Sequence, residues 1–427
     1  MKRRYLPFLL LVLTLLWNSG CDTLFGSKSD KTTEEIFREG RIDPRQLTDV
    51  GYVPLFPFFT QSAAGTFQAP RDVYVGYDEM IYVVDDLGLH VLDRAGRPAD
   101  LGFQNPDGSV TPYIPLRQAT SVIQDRRLHV YVTARRDTLI QGRVWDLPVI
   151  IRFSGISEGR AKIEDIIWYP FDDDSRKFNR PDPQDTDEQV SFTGVGVLAD
   201  NFIYVSRKGP VNILNTPIRP HNAILLFTPE GLHIKTLTAL HPTVPGLRSS
   251  VNPADVMTYI HPPQRREMLP NLHFMIAQSI PENPPQFSVL SILAVETPDG
   301  IVYRPDTEKI RLALEADPEK GHGFLYEPFK FREPSDLTFA NDGTNYIFVL
   351  DAGKDSLFVF NSRGIEGVTP PPGSPSRVPV VVSFGGSGEG PLQFNHPQGV
   401  AYFDKRVYVA DTGNNRISRF ILNTDLE

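Results

Sequence analysis

The chain has 427 residues, of which 40% are hydrophobic, 22% charged and 11% aromatic, the make-up of a folded globular protein. Its 38 prolines and 32 glycines exclude long uninterrupted helices, and its single cysteine excludes an intramolecular disulfide framework. A formal net charge of −9 excludes the basic surface that nonspecific binding to nucleic acid or anionic lipid requires.

Residues 1–20 have the order of an export signal: Lys2, Arg3 and Arg4, an apolar stretch from Tyr5 to Trp17, then the small Ser19 and Gly20. The apolar stretch falls short of the ~20 residues a membrane-spanning helix needs. The one cysteine, Cys21, follows directly. Asn18-Ser19-Gly20-Cys21 resembles the lipobox of bacterial lipoproteins, with Asn18 where that family prefers Leu. The resemblance implies that Cys21 is lipidated and becomes the mature N-terminus, anchoring the protein to a membrane of the bacterial cell envelope, facing the periplasm or the surface. Residues 21–45, with Gly26-Ser27-Lys28-Ser29-Asp30 and few large apolar groups, then form a tether, and residues 46–427 the folded body.

Within that body, short runs of β-branched and aromatic residues alternate with turn residues. Tyr52 to Phe58 is the first such run. Next come Ala69-Pro70-Arg71-Asp72-Val73, Ile81-Tyr82-Val83-Val84-Asp85 and Leu89-His90-Val91-Leu92. Weaker strand pairs follow at Leu128–Thr133 with Val149–Phe153, Phe202–Ser206 with Ala223–Phe227, and Phe274–Ala277 with Ser288–Leu293. Thr133 and Ser206 stand in these copies where the first has its strand-ending Asp85. Residues 306–316 predict a short helix inserted in the fourth unit. The first pattern returns as Glu333-Pro334-Ser335-Asp336-Leu337, Ile347 to Asp351 and Leu357 to Phe360. Thr369 to Pro375 then interrupts as a polyproline-like excursion before a fourth strand at Val380–Phe384. The pattern closes with Phe394-Asn395-His396-Pro397-Gln398-Gly399, Val407 to Asp411, and Phe420.

This last unit resembles an NHL repeat, and the two earlier full copies share its grammar. The resemblance implies an all-β fold, a β-propeller of four-stranded antiparallel blades, six of them, with seven as the competing count. The chain ends on a third strand, so residues 52–58 are expected to supply the outer strand of the last blade and hide its edge.

Asp85, Asp351 and Asp411 are read as turn residues whose carboxylates accept backbone N–H groups that follow them. A second set is more suggestive of chemistry. Asp72, Asp255 and Asp336 each stand two residues after a repeat proline, where the segment leading into an inner strand approaches the propeller axis. Three converging carboxylates, with Asn252 or Asn395 nearby, suit a hard cation such as calcium; equally, each aspartate caps its own loop. Arg71 and Arg117 occupy comparable segments and could pair with these acids, and His396 precedes the Pro397 segment. The acidic run from Phe171 to Gln189 lacks the glycine and ligand alternation of an EF-hand and reads as a solvated loop. No Gly-x-Ser-x-Gly elbow leads into a helix.

Propellers of this kind mostly bind proteins, peptides, nucleic acids or glycans, and some resemble metal-dependent lactonases and lyases. Acidic charge and an export signal disfavour nucleic acid. The expectation is therefore a non-enzymatic, lipid-anchored binding or scaffold module whose partner is an envelope protein, peptide or glycan. The alternative is a metal-dependent hydrolase or lyase, lactonase-like, using the three aspartates and, if metal-bound, calcium.

Overall fold

The computed structural model describes residues 49–140, 142–170, 187–209, 222–237, 247–262, 272–279, 285–314 and 323–426. The expected export signal, Cys21, the expected tether and most of the acidic run lie outside the described residues. Leu47–Glu427 makes up one unit.

Six four-stranded antiparallel sheets account for most of this unit, one per blade. Their innermost strands are Asp72–Val75, Arg117–Gln124, Ser191–Val197, Pro253–Thr258, Pro334–Phe339 and Gly399–Phe403. Each of these strands packs against the next, and the sixth packs against the first, which closes the ring. A blade held between two neighbours has two buried faces. Its central strands therefore read as continuous apolar runs instead of alternating. Ile81–Val84, Ala223–Phe227 and Ile347–Asp351 are buried at every position. The outermost strands, such as His233–Leu237, are largely exposed.

One large side chain recurs at the same register of five second strands: Tyr82, Tyr131, Tyr204, Phe348 and Tyr408, with Met275 in the fourth blade, none more than 1% exposed. Buried tyrosine hydroxyls need partners. A turn aspartate answers two of them, Tyr82 donating to Asp78 at 2.6 Å and Tyr131 to Asp125 at 3.0 Å.

Closure follows the expectation. Tyr52–Pro54 pairs antiparallel with the chain's last strand, Tyr52 opposite Leu422 and Pro54 opposite Phe420. Beyond it, Phe59 and Ile417 exchange backbone hydrogen bonds of 3.0 and 2.7 Å. The expected helix is present as Thr307–Leu314, with Ile310 buried in the core between the third and fifth blades.

Three local expectations are corrected. The weak copy beginning at Leu128 is a long hairpin, Val130–Ile140 with Arg143–Ser154, whose tip runs beyond its sheet neighbours. Thr133 and Ser206 pair with Ser121 and Gly194, one residue short of the strand-ending position. The true counterpart of Asp85 in the fourth blade is Gln278, opposite Pro253 just as Asp351 is opposite Pro334. The outer strand of the fifth blade is only Phe384–Gly385, because Val380 bonds back to Val368 in the proline-rich excursion.

Deleting residues 46–60 exposes the outer edge of the last blade and removes the closing pairs. The expected outcome is loss of the cooperative thermal transition, followed by circular dichroism; an unchanged melting temperature would show that closure carries no stability.

Candidate functional site

The segments leading into the inner strands meet at one end of the propeller axis, and two layers of side chains line them. In the deeper layer, the positions facing the axis are Asp72, Ser121, Gly194, Asp255, Asp336 and Gly399, each in the same register relative to its second strand. The three aspartates border a single cavity of about 30 Å³.

Their carboxylates are committed to the backbone. Asp72 accepts the N–H of Val73 at 2.7 Å and that of Val122, in the next blade, at 2.8 Å. Asp336 does the same with Leu337 at 2.7 Å and with Val400 of the sixth blade at 2.5 Å. Asp255 lies beside Asp336 and the backbone of Val256 and Leu337, close enough for each to act on its carboxyl. Asp72 and Asp336 thus fasten their own blades to the following ones.

The two glycines of the layer have a steric reason. A Cβ on Gly194 would lie 2.2 Å from Oδ1 of Asp255, and one on Gly399 would lie 2.5 Å from Cα of Asp72. A glycine stands where the next blade's aspartate needs the room.

Burial and mutual repulsion raise the proton affinity of the ring. Burial is the main cause that pushes Asp72 up to about 7, with the charge of Asp255 adding to it and the Val122 N–H opposing. Burial also pushes Asp255 up to about 6, against its hydrogen bonds to Asp336 and the backbone. Asp336 is raised well above the carboxylate range by burial and by the charges of Asp255 and Asp72. The three carboxyls therefore bind protons more readily than isolated aspartates do.

The outer layer lies one residue earlier. Thr120 donates to the Phe192 carbonyl of the third blade at 2.7 Å, Thr193 to the Pro253 carbonyl of the fourth at 2.9 Å, and Ser335 to the Pro397 carbonyl of the sixth at 3.0 Å. Arg71 reaches the Ala119 carbonyl of the second blade at 3.3 Å. Above this layer opens a cavity of about 190 Å³, bordered by Arg71, Thr193, Lys208, Asn252, Glu333 and Gln398 among others, with every blade contributing. Lys208 has no carboxylate partner among the described residues.

The expected site residues therefore divide. Asp72, Asp255 and Asp336 converge, while Arg71 and Asn252 line the mouth above them. Arg71 is paired with Asp86 and not with the ring. Arg117 is elsewhere: an irregularity between Arg117 and Ser121 carries it outward to Asp137 and Asp146, at 2.8 and 2.6 Å. Asn395 and His396 are exposed outside the mouth, their backbone N–H groups donating to Asp411 and Asp355. Gln398 takes the lining position instead. The expected calcium would compete with the backbone N–H groups that Asp72 and Asp336 already bind. Among the described residues, no group of three or more His, Cys, Asp or Glu side chains is placed to hold a metal ion.

The strand-ending aspartates are structural, although their partners differ from expectation. Asp85 accepts from Gln68 in the lead-in segment as well as from Leu87 and Gly88 in its own turn. Asp351 likewise holds Arg332, Glu333 and Gly353. Asp411 holds the Asn395 N–H and the Asn414 and Arg416 side chains, not the backbone that follows it. Gln278 substitutes for these aspartates, accepting the Val251 N–H at 2.9 Å.

Residues 394–420 match the NHL repeat. No curated protein matches the sequence. Among solved structures, an auxiliary nutrient binding protein from Bacteroides thetaiotaomicron is similar at 10% identity and TM-score 0.45, over 90% of this chain and 74% of that one. A gluconolactonase from Xanthomonas campestris is similar at 11% identity and TM-score 0.41, over 88% and 91%. The calcium-binding protein regucalcin from Agrobacterium tumefaciens is similar at 8% and 0.44, over 86% and 95%. Likenesses this distant assign no activity. What the chain's own geometry defines is a six-bladed β-propeller with an NHL repeat and a polar axial mouth.

The ring has a pH signature. Aspartates of the unfolded chain ionise near about pH 4, whereas Asp72 and Asp255 do so at about 7 and about 6 in the fold. The folded state therefore holds more protons in that window, so the ring's stabilisation is complete below the unfolded value and is lost as pH rises through 6 and 7. Between about pH 5 and pH 8, wild type should lose about 2 kcal/mol more than Asp255→Asn in urea denaturation. Parallel pH profiles for the two proteins would show that Asp255 holds no extra proton in the fold.

Proposed function

We propose that this protein is a lipid-anchored binding module of the bacterial cell envelope, with the axial mouth as its binding site. The observation that carries the reading is the composition of that mouth. All six blades contribute to it, it mixes cationic, anionic and amide groups, and its hydroxyls are held by backbone carbonyls instead of by a catalytic base. Such a surface recognises polar groups through several simultaneous hydrogen bonds. A glycan, or a peptide segment of an envelope protein, supplies them, and Lys208 and Glu333 orient opposite ends of the ligand.

Anchoring rests on Cys21 and the export signal ahead of it. Cys21→Ala should abolish incorporation of labelled palmitate and move the protein from the membrane fraction to the soluble one; retention of label by the variant would disprove the anchor.

The mouth is tested by placing a photo-crosslinking residue at Gln398 and, as control, at the distant exposed Val110. A discrete adduct formed only from position 398, and diminished about tenfold or more by Lys208→Glu, supports the module. Hydrolysis of a panel of lactones that is abolished by Asp336→Asn would replace it with the hydrolase reading.

A further inference from the structure

A larger cavity, about 340 Å³, lies off the axis, between the fifth and sixth blades. The proline-rich excursion of the fifth blade borders it, pinned at its base by reciprocal 2.9 Å backbone bonds between Val368 and Val380. The Thr369 N–H donates to the Tyr346 hydroxyl at 3.0 Å, which holds Pro370 and Pro371 as one wall. Opposite stand Tyr52, from the strand that closes the propeller, and Tyr402.

The polar groups here are unbalanced. Two carboxylates, Asp342 and Asp425, border the cavity against one ammonium, Lys405, which sits 3.2 Å from Asp425. Asp342 accepts the Tyr402 hydroxyl. Burial, with the charges of both carboxylates adding to it, holds the Tyr52 and Tyr402 hydroxyls in their neutral form. Apolar walls, tyrosine oxygens and a surplus negative charge form the complement of a cation with a hydrocarbon body.

We propose that this cavity binds a small organic cation, an alkylammonium group carried on a short aliphatic chain. The aliphatic part lies along the prolines and Leu422, and the ammonium meets Asp342 and the tyrosine hydroxyls. Lys405 competes for the same field, and that gives the proposal a sign that a structural role for these residues would not have.

The test is isothermal titration calorimetry of the full-length protein with cadaverine as probe, and valerate and pentanol as anionic and neutral controls. Saturable cadaverine binding without valerate binding is expected. Lys405→Gln removes the competing cation and should tighten cadaverine about tenfold, while Asp425→Asn frees Lys405 and should weaken it by a similar factor. Asp342→Asn, whose amide oxygen still accepts the Tyr402 hydroxyl, should weaken it too. Lys405 is exposed, so its variant tests the site without endangering the fold. Lys208→Glu at the axial mouth should leave cadaverine binding unchanged, which separates this site from the one proposed there. Absence of saturable binding in the millimolar range, preference for valerate, or indifference to Lys405→Gln would overturn the proposal.

Discussion

A propeller must close, and in this chain closure is written as a relay of side chains, each reaching forward to the backbone of the next blade. Asp72 and Arg71 join the first blade to the second, Thr120 the second to the third, and Thr193 the third to the fourth. Asp336 and Ser335 join the fifth to the sixth, and Thr412 returns to the Pro70 carbonyl of the first at 2.7 Å. Between the fourth and the fifth the reach is backward, Asn341 donating to the His261 carbonyl at 2.9 Å. The reason is elementary: where blades converge on the axis, backbone N–H and C=O groups that point between sheets have no strand to pair with, and leaving them dry is costly. Side chains supply the missing partners.

That requirement explains the site's limits. The three axial carboxylates look like chemistry in the sequence because they stand at matching positions, but matching positions are also what a repeated structural joint demands. Their elevated proton affinity is a consequence of burying three acids together. Asp72 and Asp336 spend oxygens on the joint between blades. What remains for recognition is the rim above them, where Lys208, Glu333 and Gln398 have no counterpart in the relay.

The fold was legible because two buried faces leave an unmistakable signature, as in Ile81-Tyr82-Val83-Val84, and because a chain ending on a third strand needs an outer strand from elsewhere. Convergence of Asp72, Asp255 and Asp336 was legible from their common offset after a proline. Their partners were not, since a carboxylate that binds a cation and one that binds N–H groups have the same spelling. Register slipped by one residue at Thr133 and Ser206 because hydroxyl side chains sit beside, and resemble in polarity, the true strand-ending position. Gln278 escaped notice because an amide doing a carboxylate's work breaks the motif while preserving the bond. Arg117 was misplaced by a bulge that no composition signals.

The same logic of joints and gaps accounts for the second cavity. The fifth blade's outer strand is two residues, Phe384–Gly385, and the chain that leads to it touches the sheet at Gly367, whose N–H donates to the Val359 carbonyl at 2.8 Å, before the proline-rich stretch. Proline suits Thr369–Pro375 because a stretch outside the ladder loses little by lacking N–H donors. A wall built this way is stiff and apolar, and the tyrosines facing it are anchored in blades that the axial relay already holds in place. Asp342 is held by the Tyr402 hydroxyl and by Thr344, and Asp425 by Lys405, so the negative field inside the cavity comes from acids with defined partners. The axial relay holds together the blades that carry them, and that is the frame in which the lateral acids can select a charge.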